Sequence, residues 1–380
     1  MSARAFDVAI VGAGPAGSAL ALQLARAGAR VALIERQRER AFRVGETLPP
    51  AIAPRLQRLG VWDRFMDTRP RASDHMLSAW GSAELQSQSF IAHPHQLGWQ
   101  IDRARFDAML AQAAVDAGAV LHAGCRVHEF DGDAAAGWRL HMEESENALH
   151  ARWLVDASGR RARIAARLGS ERIRIDDLIG VALLFAGGNE GDASGGAMIE
   201  AVRDGWWYSA RLPAGEALAV FMTDADLLRG AGDPTKFALA RLMEAPHTAR
   251  RVQHLRPPLR ASVWPAASQR LTRAAGAGWL ALGDAAIARD PLSSSGIDFA
   301  LASAELGYAT LVAAQSGDEA AIAHYAAAIA RDFDAYCALR VQFYALERRW
   351  PDAPFWARRM SGAQRGSEVD AGFEPAAQIA

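Results

Sequence analysis

Apolar residues along this chain follow two patterns. Some form short unbroken runs that end at glycine or a carboxylate; others recur every three or four residues. The first run, Phe6 to Val11, meets Gly12-Ala13-Gly14-Pro15-Ala16-Gly17 and passes into a helical pattern through Leu20, Leu22 and Leu24 that stops at Gly28. The next run, Val31 to Ile34, ends in Glu35. This order predicts strand, tight turn, helix and second strand. A helix is expected from Ala51 to Leu59 before Gly60, strands within Ser73 to Gln100, and a helix from Arg103 to Ala117. Short strands follow near Val120, Val127 and Trp138, and a buried strand Trp153-Leu154-Val155 runs into Asp156-Ala157-Ser158-Gly159-Arg160. From about Ile175 to Ser268 the helical spacing lapses, and runs such as Ile179–Ala186, Ala197–Val202 and Ala217–Met222 predict an antiparallel sheet. Trp279 to Asp284 returns to the first style. A helix is expected from Gly296 to Ser316 and another from near Asp318 toward Arg348, with Ile322, Tyr325, Ile329, Phe333, Tyr336 and Phe343 as a core stripe.

The opening stretch has a chemical meaning. Gly12 permits the turn, Gly14 lets a pyrophosphate approach the backbone, and Gly17 lets the helix pack on the strand. The helix N-terminus offers free N–H groups and the positive end of its dipole, and Pro15 suits a first-turn position where an N–H is not needed. Glu35, about 20 residues on, can accept hydrogen bonds from ribose hydroxyls. These residues indicate a dinucleotide and leave NAD and FAD both open.

Composition narrows the class. With 380 residues, 51% hydrophobic and 22% charged, the chain can bury a large core. A net charge of −1 without a basic, aromatic-interleaved run argues against nucleic acid. Cys125 and Cys337 have no metal or disulfide spacing, which suits a cytoplasmic protein, and His93-Pro94-His95 reads as a loop, so no metal site is expected. The long uncharged run from Val8 to Ala25 holds the motif glycines, so no transmembrane segment is expected. Lys236 is the only lysine.

Three further motifs resemble the superfamily of FAD-dependent aromatic hydroxylases (group A monooxygenases) and flavin halogenases. Gly283-Asp284-Ala285-Ala286 with Asp290-Pro291-Leu292-Ser293-Ser294-Ser295-Gly296-Ile297 resembles its second FAD motif, and Asp156 to Arg160 its D-A-T-G-R turn. Val44-Gly45-Glu46-Thr47 with Pro49-Pro50 is similar to the halogenase-like branch. The resemblance implies the p-hydroxybenzoate hydroxylase fold: an α/β, discontinuous Rossmann-like FAD-binding domain (1–72, 96–172 and 269–317), a mostly antiparallel β substrate domain (73–95 and 173–268), a helical C-terminus (318–365) and a disordered tail (366–380). It implies FAD contacts from Gly12, Gly14, Pro15, Ala16, Gly17, Glu35, Arg36, Arg43, Glu46, Thr47, Arg103, Asp156, Ala157, Ser158, Gly159, Gly283, Asp284, Pro291, Ser295, Gly296 and Ile297. The helix starting near Gly296 would aim its N-terminus at the flavin N1 and O2, where the reduced ring carries negative charge. No catalytic residue is fixed; the flavin-proximal candidates are Glu46, Pro291, Ser294, Gly296, Trp206 and Tyr208.

Within that superfamily three activities compete. Halogenases carry W-x-W-x-I-P and a lysine after the V-G-E segment, whereas here the place reads Gly205-Trp206-Trp207-Tyr208-Ser209-Ala210-Arg211-Leu212-Pro213 and Lys236 lies after it. Arginine cannot substitute for that amine. Prenyl reductases need a long apolar channel. The Trp-Trp-Tyr stretch and Leu346-Glu347-Arg348-Arg349-Trp350-Pro351 through Phe355-Trp356 look like the flavoproteins that hydroxylate a tryptophan of a partner protein during quinone-cofactor formation. The expected reaction is therefore aromatic hydroxylation through a flavin C4a-hydroperoxide, with O2 as co-substrate and electrons from NADH, NADPH or an external flavin reductase. The substrate would be a tryptophan-containing polypeptide or a small aromatic molecule. Trp350, Trp356, Arg358 and Arg359 are candidate partner anchors. A non-catalytic FAD-fold protein that binds a partner is the alternative of another class.

Overall fold

The computed structural model describes residues 6–38, 42–143, 147–187, 196–230, 232–256 and 258–366. Residues 188–195 and, from residue 367 onward, the expected 366–380 tail lie outside them.

The predicted opening unit forms as read. Strand Phe6–Val11 pairs in parallel with Val31–Glu35 on one side and Leu149–Asp156 on the other, inside an eight-stranded sheet. Val120–Ala123 and Trp279–Ala281 extend the parallel order outward. Val8, Ala9, Ile10 and the whole of Val31–Ile34 are buried, as expected of strands covered on both faces. Helix α1 (Pro15–Arg26) covers the sheet. Beyond it come α2 (Ile52–Arg58), α3 (Trp62–Asp67), α4 (Arg103–Asp116) and the short α5 (Arg163–Arg167).

A second, seven-stranded sheet runs Arg260–Pro265, Leu178–Phe185, Ala217–Asp224, Gly205–Arg211, Ala197–Val202, His75–Ala79 and Gln86–Ser89. All its pairs are antiparallel except that of Ala197–Val202 with His75–Ala79. Between its strands Ala217–Asp224 and Arg260–Pro265 the chain is helical, contrary to expectation: α6 (Ala225–Arg229), α7 (Pro234–Leu242) and α8 (Pro246–Val252). The start of α7 was signalled by Asp233-Pro234, since Asp233 accepts the Lys236 N–H at 2.9 Å and Pro234 needs no partner.

Alternation splits this sheet into two faces. Trp206 and Tyr208 join Leu218, Val220 and Met222 on one face, together with Phe42, Val44 and Leu292. Trp207 joins Val181, Leu183 and Phe221 on the other, under Ala238 and Leu242 of α7. The sole lysine therefore sits on the helix that covers the face away from Phe42, Val44 and Leu292.

Three helices end the described chain: α9 (Gly296–Gln315), α10 (Ala321–Leu346) and α11 (Pro354–Gly366). By length and composition α9 is apolar enough to cross a membrane; here it packs between α1 and α10. The expectation that the C-terminal aromatics anchor a partner is corrected. Phe355 and Trp356 have no exposed surface, the Trp356 indole donates to Val202 O at 2.9 Å, and Arg359 binds Asp224 at 2.7 Å. Arg358 is held by Asp226, and Trp350 stacks on Trp356. The segment packs on its own sheet.

Candidate functional site

The site begins at the end of the first strand. Gly12 has φ +112°, and a Cβ there would lie 2.2 Å from the Ala157 carbonyl oxygen. A Cβ on Gly17 would lie 2.0 Å from the Gly12 carbonyl oxygen. Both glycines are required by close backbone packing. Gly14 differs: a Cβ there would meet no atom within 4 Å. Open space thus lies before the start of α1, whose N-cap carries no side-chain hydrogen bond. Pro15 and Ala16 form the buried first turn. Glu35 accepts the Ala13 N–H on Oε2 at 3.1 Å and the Gln37 N–H on Oε1 at 3.0 Å, tying the second strand to the turn. Arg36 is exposed beyond it, and Arg43 donates to Gln37 at 2.9 Å.

The Asp156 turn is structural. Its carboxylate, expected to serve the ligand, faces inward: Oδ1 accepts Ser158 N–H and Oδ2 accepts those of Ile164 and Ala165, each at 2.9 Å. It caps α5, and these donors satisfy a charge that burial penalises. Ala157 N–H bonds Val11 O, Ser158 Oγ accepts Arg163 N–H, and Gly159 turns the chain at φ +76°. Asp284, by contrast, is part-exposed, with Arg160 Nε 3.6 Å away. Gly283 beside it has φ +53° and faces Ala16 at a distance a Cβ would close to 2.9 Å.

Opposite lies the Val44–Thr47 loop. Arg103 donates to Val44 O at 3.1 Å and pairs with the buried Asp107 at 3.3 Å, so it holds the loop in place. Glu46 is 2% exposed; Oε2 accepts the Gly45 N–H at 2.5 Å, and Oε1 has no hydrogen-bond partner among the described residues. Burial lifts its carboxyl from 4.5 to about 7, against the opposing pull of the Gly45 N–H and the Arg103 charge. Thr47 Oγ1 donates to Gln100 Oε1 at 2.7 Å and lies 2.5 Å from Tyr208 Oη. With its single proton committed to Gln100, Thr47 accepts from Tyr208.

The second wall is the turn before α9. Pro291–Ser293 makes one 3-10 turn, Ser294 has φ +45°, and Ser295 Oγ engages Arg289 at 3.1 Å and Ser293 at 2.8 Å. No side chain caps α9, and a Cβ on Gly296 would meet nothing within 4 Å. Ile297, next in line, is buried. Two packed helices, α1 and α9, therefore each begin uncapped at a position with open space in front.

The model of the FAD binding domain family matches residues 5–331. The chain belongs to this family.

At that level it is an FAD-dependent oxidoreductase. Its chain is 30% identical over 365 residues to LodB of Marinomonas mediterranea, which its name calls an FAD-dependent oxidoreductase, with 94% of this chain and 97% of LodB covered. The structure resembles that of the myxobacterial chondrochloren halogenase CndH, an FAD-dependent halogenase, with TM-score 0.87, 25% identity, and 96% of this chain and 88% of CndH covered. It also shares its fold with QhpG, a peptidyl tryptophan dihydroxylase essential for tryptophylquinone cofactor biogenesis, with TM-score 0.77, 24% identity, and 93% and 78% covered.

The oxidoreductase has a cradle that suits FAD. Open space at Gly14 would admit a pyrophosphate, Glu35 at the end of the second strand could meet a ribose, and the unpartnered Glu46 Oε1 and the open Gly296 could face an isoalloxazine. Among the flavin-proximal candidates, Trp206 is corrected: it is 1% exposed and its indole donates to Tyr344 Oη at 3.1 Å, behind Tyr208. Sequence reasoning missed Arg55, Gln100 and three α10 residues, Tyr336, Arg340 and Tyr344. The last three recur every four residues, and that spacing alone reads as core.

Proposed function

We propose that this oxidoreductase inserts one oxygen atom of O2 into an electron-rich aromatic ring, a tryptophan in a partner polypeptide. The other oxygen leaves as water, so each turnover consumes two electrons, from NADH, NADPH or a separate flavin reductase, and two protons. Bound FAD would supply the electron transfer and O2 activation. The chain's own groups do the rest. The α9 N-terminus stabilises negative charge on the reduced ring. Phe42, Val44 and Leu292, part of one apolar cluster, exclude water from the reacting face. Glu46 is half protonated near neutral pH and holds a proton next to that face.

One observation carries hydroxylation over halogenation: the only lysine stands on α7, across the sheet from Glu46 and Tyr208. The name of QhpG supports the choice of peptidyl tryptophan. The test is anaerobic reduction with each electron source, then O2 and mass spectrometry on free tryptophan, a tryptophan peptide and a small phenol. Oxygen gain in the peptide ahead of the free molecules supports the reading. Efficient reaction of free tryptophan or phenol with none of the peptide moves the assignment to a small-molecule aromatic hydroxylase.

A further inference from the structure

Asp290 opens the turn that leads to α9, and it is 1% exposed. Oδ1 accepts the Leu292 N–H at 3.0 Å, while Oδ2 accepts Tyr344 Oη at 2.7 Å and Arg340 Nε at 3.3 Å. The Asp290 N–H itself donates to Tyr336 Oη at 2.7 Å. One residue earlier, Arg289 pairs with Asp332 and lies over the Phe299 ring at 4.4 Å. Asp332, Tyr336, Arg340 and Tyr344 stand four residues apart on α10 and so share a face. All four grip Arg289 or Asp290. The family match ends at residue 331, so all four lie just beyond the segment that the family model covers.

The turn has reason to be gripped. Ser294 is a non-glycine residue at φ +45°, a strained conformation that persists only where its surroundings over-determine it. The clamp is itself anchored: Arg340 reaches Asp176 at 2.9 Å, Tyr336 Oη meets Ser268 Oγ at 2.7 Å, and Tyr344 Oη accepts from Trp206. We propose that Tyr336, Arg340 and Tyr344 are positioning residues which, by holding Asp290, set the Pro291–Ser295 turn and aim the N-terminus of α9 at the flavin. The inference rests on FAD binding at this site and not on which substrate is oxidised.

The test uses FAD-loaded protein without substrate or O2. Tyr344→Phe and the milder Tyr336→Phe each remove one hydroxyl; Tyr325→Phe is the control, because Tyr325 is also a buried α10 tyrosine but donates to Ala281 O, away from the turn. Melting temperature, FAD dissociation constant and flavin midpoint potential are measured for each. The expected result is a lower melting temperature in all three, with a more negative potential and several-fold weaker FAD binding only in Tyr344→Phe and Tyr336→Phe. An unchanged potential and FAD affinity in the folded Tyr344→Phe and Tyr336→Phe proteins overturns the proposal. So does an equal shift in Tyr325→Phe. If Tyr344→Phe does not fold, Tyr336→Phe decides alone.

Discussion

Arg55 Nε lies 2.7 Å from Oδ1 of Asp298, and its Nη1 lies 2.7 Å from Glu305. This guanidinium joins α2, which follows the Glu46 loop, to the first turns of α9. It fixes the separation of the two walls between which an isoalloxazine would sit. The side chain is 19% exposed, and its removal takes a partner from both carboxylates, although Glu305 keeps Arg58 at 3.5 Å. Arg55→Met should therefore lower stability by about 1–3 kcal/mol and weaken FAD binding more than this loss of stability explains. Urea unfolding of apo and FAD-loaded protein separates the two effects.

The three motif glycines should respond differently to one methyl group. Gly12→Ala and Gly17→Ala place Cβ within 2.2 Å of backbone oxygens and should cost more than about 3 kcal/mol, with loss of folded protein. Gly14→Ala meets open space and should fold like the parent, yet bind FAD at least about tenfold more weakly, or 1.4 kcal/mol. Circular dichroism with FAD titration checks both; a Gly14→Ala protein with parental affinity would place the pyrophosphate elsewhere.

The two acidic turns should also separate. Asp284 is part-exposed and pairs only loosely with Arg160, so Asp284→Ala should leave folding intact and weaken FAD binding by about 1–3 kcal/mol. Asp156→Ala strips an acceptor from the N–H groups of Ser158, Ile164 and Ala165 and should lower the melting temperature even without FAD. Fluorescence-monitored melting of the apoproteins distinguishes them.

Glu46 carries a pH signature. Its folded carboxyl titrates near 7 and its unfolded one near 4.5, so between those values the folded state holds the extra proton. Stability then falls as pH rises through that window, by up to about 3 kcal/mol once pH exceeds the folded value. Glu46→Gln should abolish this slope and make the apoprotein more stable than the parent at pH 8. Urea midpoints across pH 4.5–8 measure it, and a parallel slope in the variant refutes the assignment.

Much of this was legible in the sequence where the physics is local. Phe6 to Glu35 reads correctly because strand, turn and helix are each dictated within a few residues by backbone sterics and spacing. Asp284 and Gly296 came from motif resemblance, and the structure leaves Asp284 part-exposed and open space at Gly296. Asp156 was misread because the same carboxylate-and-small-residue turn serves equally to face a ligand or to cap the helix behind it. Helices α6 to α8 were missed because they are short, and the Asp233-Pro234 start signal was passed over. The α10 stripe was read as core, which is true of its rings; where the hydroxyls of Tyr336 and Tyr344 go depends on a turn more than forty residues earlier in the chain.

Arg160 donates to Ala267 O and Arg289 O and so closes the site across more than a hundred residues of chain. That bridge has a consequence for synthesis. While the ribosome is still making the seven-stranded sheet, the Gly12 turn already exists, but strand Trp279–Ala281, Asp284 and α9 do not. A nascent chain can offer the dinucleotide only its adenosine half. Firm capture of the cofactor must wait until α9 has been synthesised and packed on α1.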